Sequence, residues 1–474
     1  MFLHLSKFAW VRHSYSAKQR TLEFTRKPWA GGVVLLLCVI LAMIFANMEW
    51  SAEAYHALLT TDLKMLIQSH DGTIDILFPR DMNVERLVND ALMVLFFFLV
   101  GLEIKREVQH GELSSPKNAI LPVLAALGGM VVPALIYAVV NGGTASEVGW
   151  GIPMATDIAF AIGILSMLGD RVPVSLKIFL TALAIADDLG AIIVIALFYG
   201  GSIDLVYLSL AVVAMVFVYF LNRLGERHMF HYVIMAIIVW TLFYYSGIHA
   251  TMAGVAMALL IPTTPRYSKQ TFLRQADLLE QSIVDAAHEG GEHSDGHYHE
   301  QLRKMAGLTR NSIPMNAQLE EVLSPYVTFI VMPIFALVNG GVKIDAEHLD
   351  IFKYTAEMGS IGMGVFLGLV VGKPLGIFLM SWLAVKSKLA VKPSGATWKM
   401  LFAVACLGGI GFTMSIFVDT LAFGSGNEEF VNMGKIAILA GSLTAAVVGV
   451  VLILFCAKSE DSVKQDKIEE SNAA

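Results

Sequence analysis

Charge is what this sequence is short of. Acidic and basic residues fill only 15% of its 474 positions, against about 25% in an ordinary soluble domain, while 56% are hydrophobic. That deficit excludes a water-soluble globular fold and implies an integral membrane protein. Cysteine is equally scarce: Cys38, Cys406 and Cys456 are scattered through apolar sequence without metal-like or redox-like spacing. Thiol chemistry is therefore not the function, and the three read as small core residues. No basic groove is written into the chain, whose formal charge of −7 arises largely in loops and tails, so a nucleic-acid partner is not expected. A small-residue cleavage site is missing as well. Lys7, Arg12, Lys18, Arg20, Arg26 and Lys27 lead into an apolar run that continues unbroken, which reads as a basic segment (1–30) before an uncleaved first span.

What is present is a series of apolar stretches, near 31–48, 84–108, 119–140, 148–169, 174–199, 203–222, 229–246, 248–262, 323–340, 358–385, 399–422 and 430–456. Nearly all are long enough for a hydrocarbon core of about 30 Å, the eighth being the shortest, and together they predict an all-α polytopic membrane protein with about twelve transmembrane helices. No room is left for a separate soluble domain. One set of connections is basic, with Lys105, Arg106 and Lys117, then Arg171, then Arg223 and Arg227, then Arg266 to Arg310, then Lys386 to Lys392. The other set is nearly bare of base. This bias puts both termini, including the tail 457–474, in the cytoplasm. Two connections are long. Outside, residues 49–83 contain the alternating run Gly72-Thr-Ile-Asp-Ile-Leu-Phe-Pro79, the pattern of a hairpin. Inside, an insert over 263–322 carries the tract His288-Glu-Gly-Gly-Glu-His-Ser-Asp-Gly-His-Tyr-His299, read as solvated and partly disordered, since its spacing fits no defined zinc site.

Ionisable residues inside the spans are few and placed: Asp90 and Glu103 in the second, Asp157 beside Thr156 in the fourth, Asp187 and Asp188 in the fifth, Lys373 in the tenth. Each costs about 2.5 to 3.5 kcal/mol at the centre of a bilayer, so an adjacent pair demands a reason. A single acid can serve only to lock a bundle by pairing with a neighbour's base. The doublet goes further. Adjacent side chains project about 100° apart on a helix, so one carboxylate can face a water-filled cavity while the other turns to a cross-helix partner. Carboxylates are hard oxygen ligands, suited to sodium, lithium or protons. If sodium binds only the ionised form, and the empty ionised state is too costly to cross, protons and sodium must exchange at one shared site. Asp187 and Asp188 then titrate as a pair.

The fourth and eleventh spans read as interrupted, by Gly151, Pro153, Thr156 and Gly163 in the first and by Leu407-Gly-Gly-Ile-Gly-Phe-Thr-Met-Ser415 in the second. Irregular backbone at membrane depth survives only where protein or a water cavity satisfies it. Close helix packing would explain many of these glycines equally well. Interrupted helices in corresponding places point to an ion site between inverted repeats, where Asp157 offsets positive helix ends and Lys373 negative ones.

The segments Asn89-Asp-Ala-Leu-Met93, Gly101-Leu-Glu-Ile-Lys-Arg-Glu107, Ala155-Thr-Asp-Ile-Ala-Phe-Ala161, Ala184-Ile-Ala-Asp-Asp-Leu-Gly-Ala-Ile192, Gly372-Lys-Pro-Leu-Gly-Ile377 and Gly408-Gly-Ile-Gly-Phe-Thr-Met-Ser-Ile416 resemble those of the NhaA sodium/proton antiporters over nearly the whole chain. The resemblance implies a bacterial inner-membrane protein, not an enzyme and without a cofactor. Its core bundle would cover about 115–200 and 358–456, its interface helices about 203–262 and 323–340, with the outer loop serving a homodimer contact. It implies Asp188 as principal sodium ligand and Asp187 as a second essential acid paired with Lys373, with Thr156 and Asp157 lining the site. Asp90, Glu103 and Glu107 would lie toward a cytoplasmic funnel and its pH response, joined by His249 and Glu320. The chain departs from the family at Glu321 and Ser324, where the best-known member has histidines, which leaves the activating pH open.

The expected activity is exchange of cytoplasmic Na+ or Li+ for external H+, with more protons than sodium ions moved per cycle. A sodium-coupled solute symporter would need an organic pocket, for which no sequence feature stands. An intramembrane aspartyl protease would need Gly-x-Gly-Asp, and Met167-Leu-Gly-Asp170 lacks the first glycine. A passive cation channel would conduct without countertransport.

Overall fold

In a bilayer core no water reaches the backbone, so a chain this apolar must bond its N–H and C=O groups within its own segments, which helices do. The computed structural model describes residues 27, 29–63, 66–69, 72–75, 82–288, 294–344, 352, 359–424 and 427–473. Among them ten helices are long and apolar enough to cross a membrane: Ala30–Asn47, Val84–His110, Pro116–Asn141, Glu147–Met167, Val174–Phe198, Leu205–Arg223, Met229–Ser246, Met315–Asn339, Ile361–Lys386 and Glu428–Ala457. The bent pair Trp398–Gly408 and Phe412–Phe423 brings the number to eleven when counted as one span. The stretch expected as the eighth span holds only the nine-residue helix Met252–Leu260, which rises about 14 Å, half a hydrocarbon core. In the outer loop, strand Leu66–Ser69 pairs antiparallel with Gly72–Asp75, so the first four residues of the alternating run form the second strand of a hairpin, while 76–79 lie outside the described residues.

The insert over 263–322 differs from what its composition leads one to expect. It is a pair of helices, Lys269–His288 and Ser294–Ser312, packed on each other. Their apolar residues recur at helical spacing and leave Ala286 and Leu308 buried, a periodicity that the acid and histidine content of the tract obscures. Lys304 pairs with Glu300 one turn away at 2.8 Å; that ammonium holds the Glu300 carboxyl below its ordinary range. The central part of the histidine tract, 289–293, lies outside the described residues. Among the described residues no three His, Cys, Asp or Glu side chains converge as metal ligands.

The chain forms two compact units, one from Met1–Phe96, Glu107–Gly200 and Pro325–Ala474, the other from Phe97–Arg106 and Gly201–Ser324. In the second unit Leu102, Val218, Val239, Phe243, Met257 and Leu319 share one apolar core. The last carbonyls of the short helix Met252–Leu260 would be orphans in lipid. Lys105 Nζ donates to Leu259 O at 2.7 Å and also to Ile261 O, and Asn222 Nδ2 donates to Leu260 O at 2.8 Å.

In the first unit the helices Pro116–Asn141 and Ile361–Lys386 approach most closely. A Cβ on Gly128 would overlap the carbonyl oxygen of Gly376, and a Cβ on Gly376 that of Gly128. Glycine is needed at both places because backbone touches backbone, the small-residue contact of membrane helices. Asn89 and Asn339 exchange amide hydrogen bonds of 3.2 and 2.8 Å, joining two further helices of this unit.

Besides the helix that holds a π-turn at Leu87–Leu92, two helices widen in this way, at Val327–Val331 and Gly368–Gly372. Each is followed by a proline, Pro333 and Pro374, whose ring would clash with the carbonyl four residues earlier, at Phe329 and Val370. Both of those carbonyls lie within the widened turn, which removes the clash. The last of these π-turns delivers Lys373 to the interior.

Gly376→Leu forces two backbones apart and should destabilise the protein by about 1 to 3 kcal/mol or more, read as a lower melting temperature in detergent. Gly296→Ala, where a Cβ meets open space, should leave that temperature unchanged.

Candidate functional site

Pro153 has no N–H to donate and its ring excludes the carbonyl of Gly149, so the fourth span cannot run as one α-helix. It forms a 3-10 segment over Glu147–Met154, an extended link at 155–157, and an α-helix over Ile158–Met167. The glycines 408, 409 and 411 break the eleventh span in the same way. Its halves, Trp398–Gly408 and Phe412–Phe423, meet at 46°. Phe412 holds φ = +26° there, a strained value for a residue with a side chain.

The two breaks satisfy each other. Asp157 N donates to Ile410 O at 2.7 Å, Thr156 Oγ1 to Gly408 O at 2.9 Å, and Ser415 Oγ to Ile152 O at 2.8 Å. Asp157 caps the helix Ile158–Met167, accepting from Phe160 N at 3.0 Å through Oδ1. Its Oδ2 accepts from Thr413 Oγ1 at 2.5 Å and Thr413 N at 3.3 Å. Both oxygens are thus engaged, and the carboxyl sits at two helix N-termini, whose dipoles favour a negative charge.

Two more side chains close the crossing. Lys373 is fully buried; its Nζ donates to Met154 O, the last carbonyl of the 3-10 segment, and to Asp187 Oδ2 at 2.6 Å. Thr156 Oγ1 stands 2.7 Å from the same Asp187 oxygen. Asp187 and Asp188 are 2% and 3% exposed on the helix Val174–Phe198. Asp187 Oδ1 makes no hydrogen bond, and Asp188 lies within electrostatic reach of Lys373. Thr156, Asp157, Asp187, Asp188 and Lys373 are therefore brought together by helices far apart in sequence. The donors gathered here are carboxylates, a hydroxyl and backbone carbonyls, a hard oxygen set suited to an alkali cation.

The remaining sequence-derived residues are spread out. Asp90 belongs to the π-turn Leu87–Leu92 at the start of its helix, whereas Glu103 and Glu107 lie near the other end, Glu103 about 20 Å further along the axis at 1.5 Å per residue. Asp90 thus does not share an end of the helix with Glu103 and Glu107, the acids that the family resemblance places with it toward one funnel. Glu107 Oε2 accepts from Glu112 N at 3.1 Å, fastening the turn beyond its helix. Glu320 forms an ion pair with Arg106. His249 stands in the link before Met252–Leu260, half-buried, with Nδ1 unbonded.

The sequence reading passed over Asp419 and Lys435, 0% and 6% exposed on Phe412–Phe423 and Glu428–Ala473. The signal that marks Asp187 marks them too, since each is an ionisable residue inside an apolar run.

Removing Lys373 leaves Asp187 as an uncompensated buried charge, so Lys373→Met should cost about 3 to 5 kcal/mol. The double variant Asp187→Asn/Lys373→Met should recover much of that loss. Melting temperatures of the four forms, taken as a double-mutant cycle, check the coupling.

The family model described as Na+/H+ antiporter 1 matches residues 22–453. A Na(+)/H(+) antiporter NhaA of Rhodopirellula baltica is 42% identical over 424 residues, covering 90% of this chain and 91% of that protein. The proteins of that name from Shigella dysenteriae and Escherichia coli are each 40% identical over 428 residues, covering 90% of this chain and 96% of theirs. With its helical, multi-pass architecture, the chain belongs to the NhaA family of Na+/H+ antiporters, which are transporters and not enzymes.

Proposed function

We propose that this protein exchanges cytoplasmic Na+ or Li+ for external H+ at the Asp187–Asp188 pair by alternating access, moving more protons than metal ions in each cycle. The observation that carries this reading is the pair's setting: two adjacent acids, both buried, one oxygen of Asp187 tied to Lys373 and the other unbonded. Ionised together with no cation, the pair would leave a negative charge uncompensated in a medium that penalises it heavily. A metal ion or protons relieve that penalty, and each excludes the other. Exchange follows from charge balance and not from a moving gate alone. Lys373 gives Asp187 a built-in counter-ion, and the adjacent Asp188 is the principal ligand of the incoming cation in this reading. The proton gradient drives the cycle, and unequal charge movement makes it electrogenic.

The basic bias of alternate loops supports an inner-membrane orientation with both termini in the cytoplasm. The hairpin Leu66–Ser69/Gly72–Asp75 offers strand edges for a homodimer contact. Regulation by pH would act through Glu103, Glu107, His249 and the Arg106–Glu320 pair, with Asp90 acting at the opposite end of its helix. A solute symporter would require an added organic pocket, and a channel would dissipate gradients without coupling.

In lipid vesicles holding a proton gradient, added Na+ should collapse the gradient, as a pH-sensitive dye reports. Asp188→Asn should abolish that response while preserving yield and helicity, and exchange surviving this change would remove the assigned ligand. Voltage applied across the vesicles should alter the rate, because net charge crosses.

A further inference from the structure

A second buried ionic group lies away from the crossing. Asp419 is fully buried, and neither carboxylate oxygen makes a hydrogen bond. It packs where the next helix has Gly434, on which a Cβ would overlap Asp419 Oδ1. The glycine opens the space and the following residue, Lys435, supplies an ammonium within electrostatic reach. Lys435 in turn feels Glu85, which is half-buried at the start of the helix Val84–His110. Exposure therefore falls inward from Glu85 to Lys435 to Asp419. Two tyrosines also lie within electrostatic reach of Asp419, but both hydroxyl protons are committed elsewhere. Tyr137 OH donates to Ser146 O at 2.9 Å, and Tyr199 OH donates to Val148 O at 2.8 Å while accepting from Gly151 N at 3.0 Å.

The charge sum defines what the group can do. Two carboxylates and one ammonium leave one negative charge, and one added proton cancels it. A buried carboxylate without hydrogen-bond donors is costly when ionised and tolerable when protonated. A proton needs no further ligands, unlike a metal ion. The helix that carries Asp419, Phe412–Phe423, also packs against the 3-10 segment Glu147–Met154, the segment whose last carbonyl receives Lys373.

We propose that Asp419 is a second proton-binding site of this protein, loaded from the external side by way of Glu85 and Lys435 and separate from the Asp187–Asp188 pair. The external assignment rests on the orientation given under Proposed function. Loading forms one O–H bond on the Asp419 carboxylate with a solvent proton; unloading breaks that bond and restores the single negative charge, with no oxidation or reduction.

The test uses the full chain in lipid vesicles. Difference infrared spectroscopy across an external pH step should show a protonated-carboxyl band that disappears in Asp419→Asn. The same variant should bind Na+ with unchanged affinity by calorimetry, yet exchange Na+ for H+ more slowly by about tenfold or more, a modest share of what positioned proton transfer contributes. Asp419→Glu should restore both the band and the rate. A band that persists in Asp419→Asn, or a wild-type exchange rate in that variant, overturns the proposal. Should Asp419→Asn fail to insert, Asp419→Asn/Lys435→Gln, which removes both charges, carries the same readings. Wild-type vesicles that titrate the band but perform no exchange would sink the antiport reading and leave this site standing.

Discussion

The structure depends on one lysine ammonium held between a carbonyl and a carboxylate. A helix cannot be broken inside a bilayer unless the freed backbone groups find partners, and a lysine cannot be buried there unless its charge is answered. Lys373 meets both demands at once, since Met154 O ends the 3-10 segment and Asp187 Oδ2 carries the opposite charge. The break and the buried base thus each supply part of what the other needs. What they leave behind is an excess of acid, because Asp187, Asp188 and Asp157 outnumber the single lysine. The helix termini at Asp157 offset one of those charges. The remainder is negative charge without a base to answer it among these residues, which is what the proposed function builds on.

The elements around this contact serve to deliver it. The reciprocal approach of Gly128 and Gly376 lets the lysine-bearing helix lie against the helix Pro116–Asn141. The π-turn Gly368–Gly372 accommodates Pro374, and Lys373 is the first residue beyond that turn. On the other side, Pro153 and the glycines near 409 keep two spans from closing into continuous helices. Strain remains at Phe412, whose N–H donates to Ser442 Oγ at 3.0 Å from the neighbouring long helix. A sparsely populated backbone state persists only when its surroundings over-determine it.

Much of this was legible in the residues. Apolar runs of about twenty residues located the long helices because the bilayer imposes one length on all of them. Asp187, Asp188 and Lys373 stood out because an ionisable group in such a run is expensive. The pairing of Lys373 with Asp187 and Met154 was less accessible, since it joins helices nearly two hundred residues apart in sequence and depends on the π-turn. Three failures have physical causes. The short helix Met252–Leu260 shares its composition with full spans, and hydropathy averages across the bend before it. The insert folds as a helix pair because apolar residues recur at helical spacing beneath a surface rich in charge and histidine. Asp419 and Lys435 satisfied the criterion that picked out Asp187 and were hidden only by the conspicuousness of the doublet.

Asp157 is bonded to both broken spans, through Phe160 N on its own side and through Thr413 and Ile410 on the other. Such a rivet makes the two discontinuities one mechanical part. Four hydrogen bonds from one residue tie the two discontinuities directly to each other. The hydroxyl that touches Asp187 and the carbonyl that shares Lys373 with it are both carried on this joined pair, so the hold on the acid and the hold between the two breaks are one arrangement.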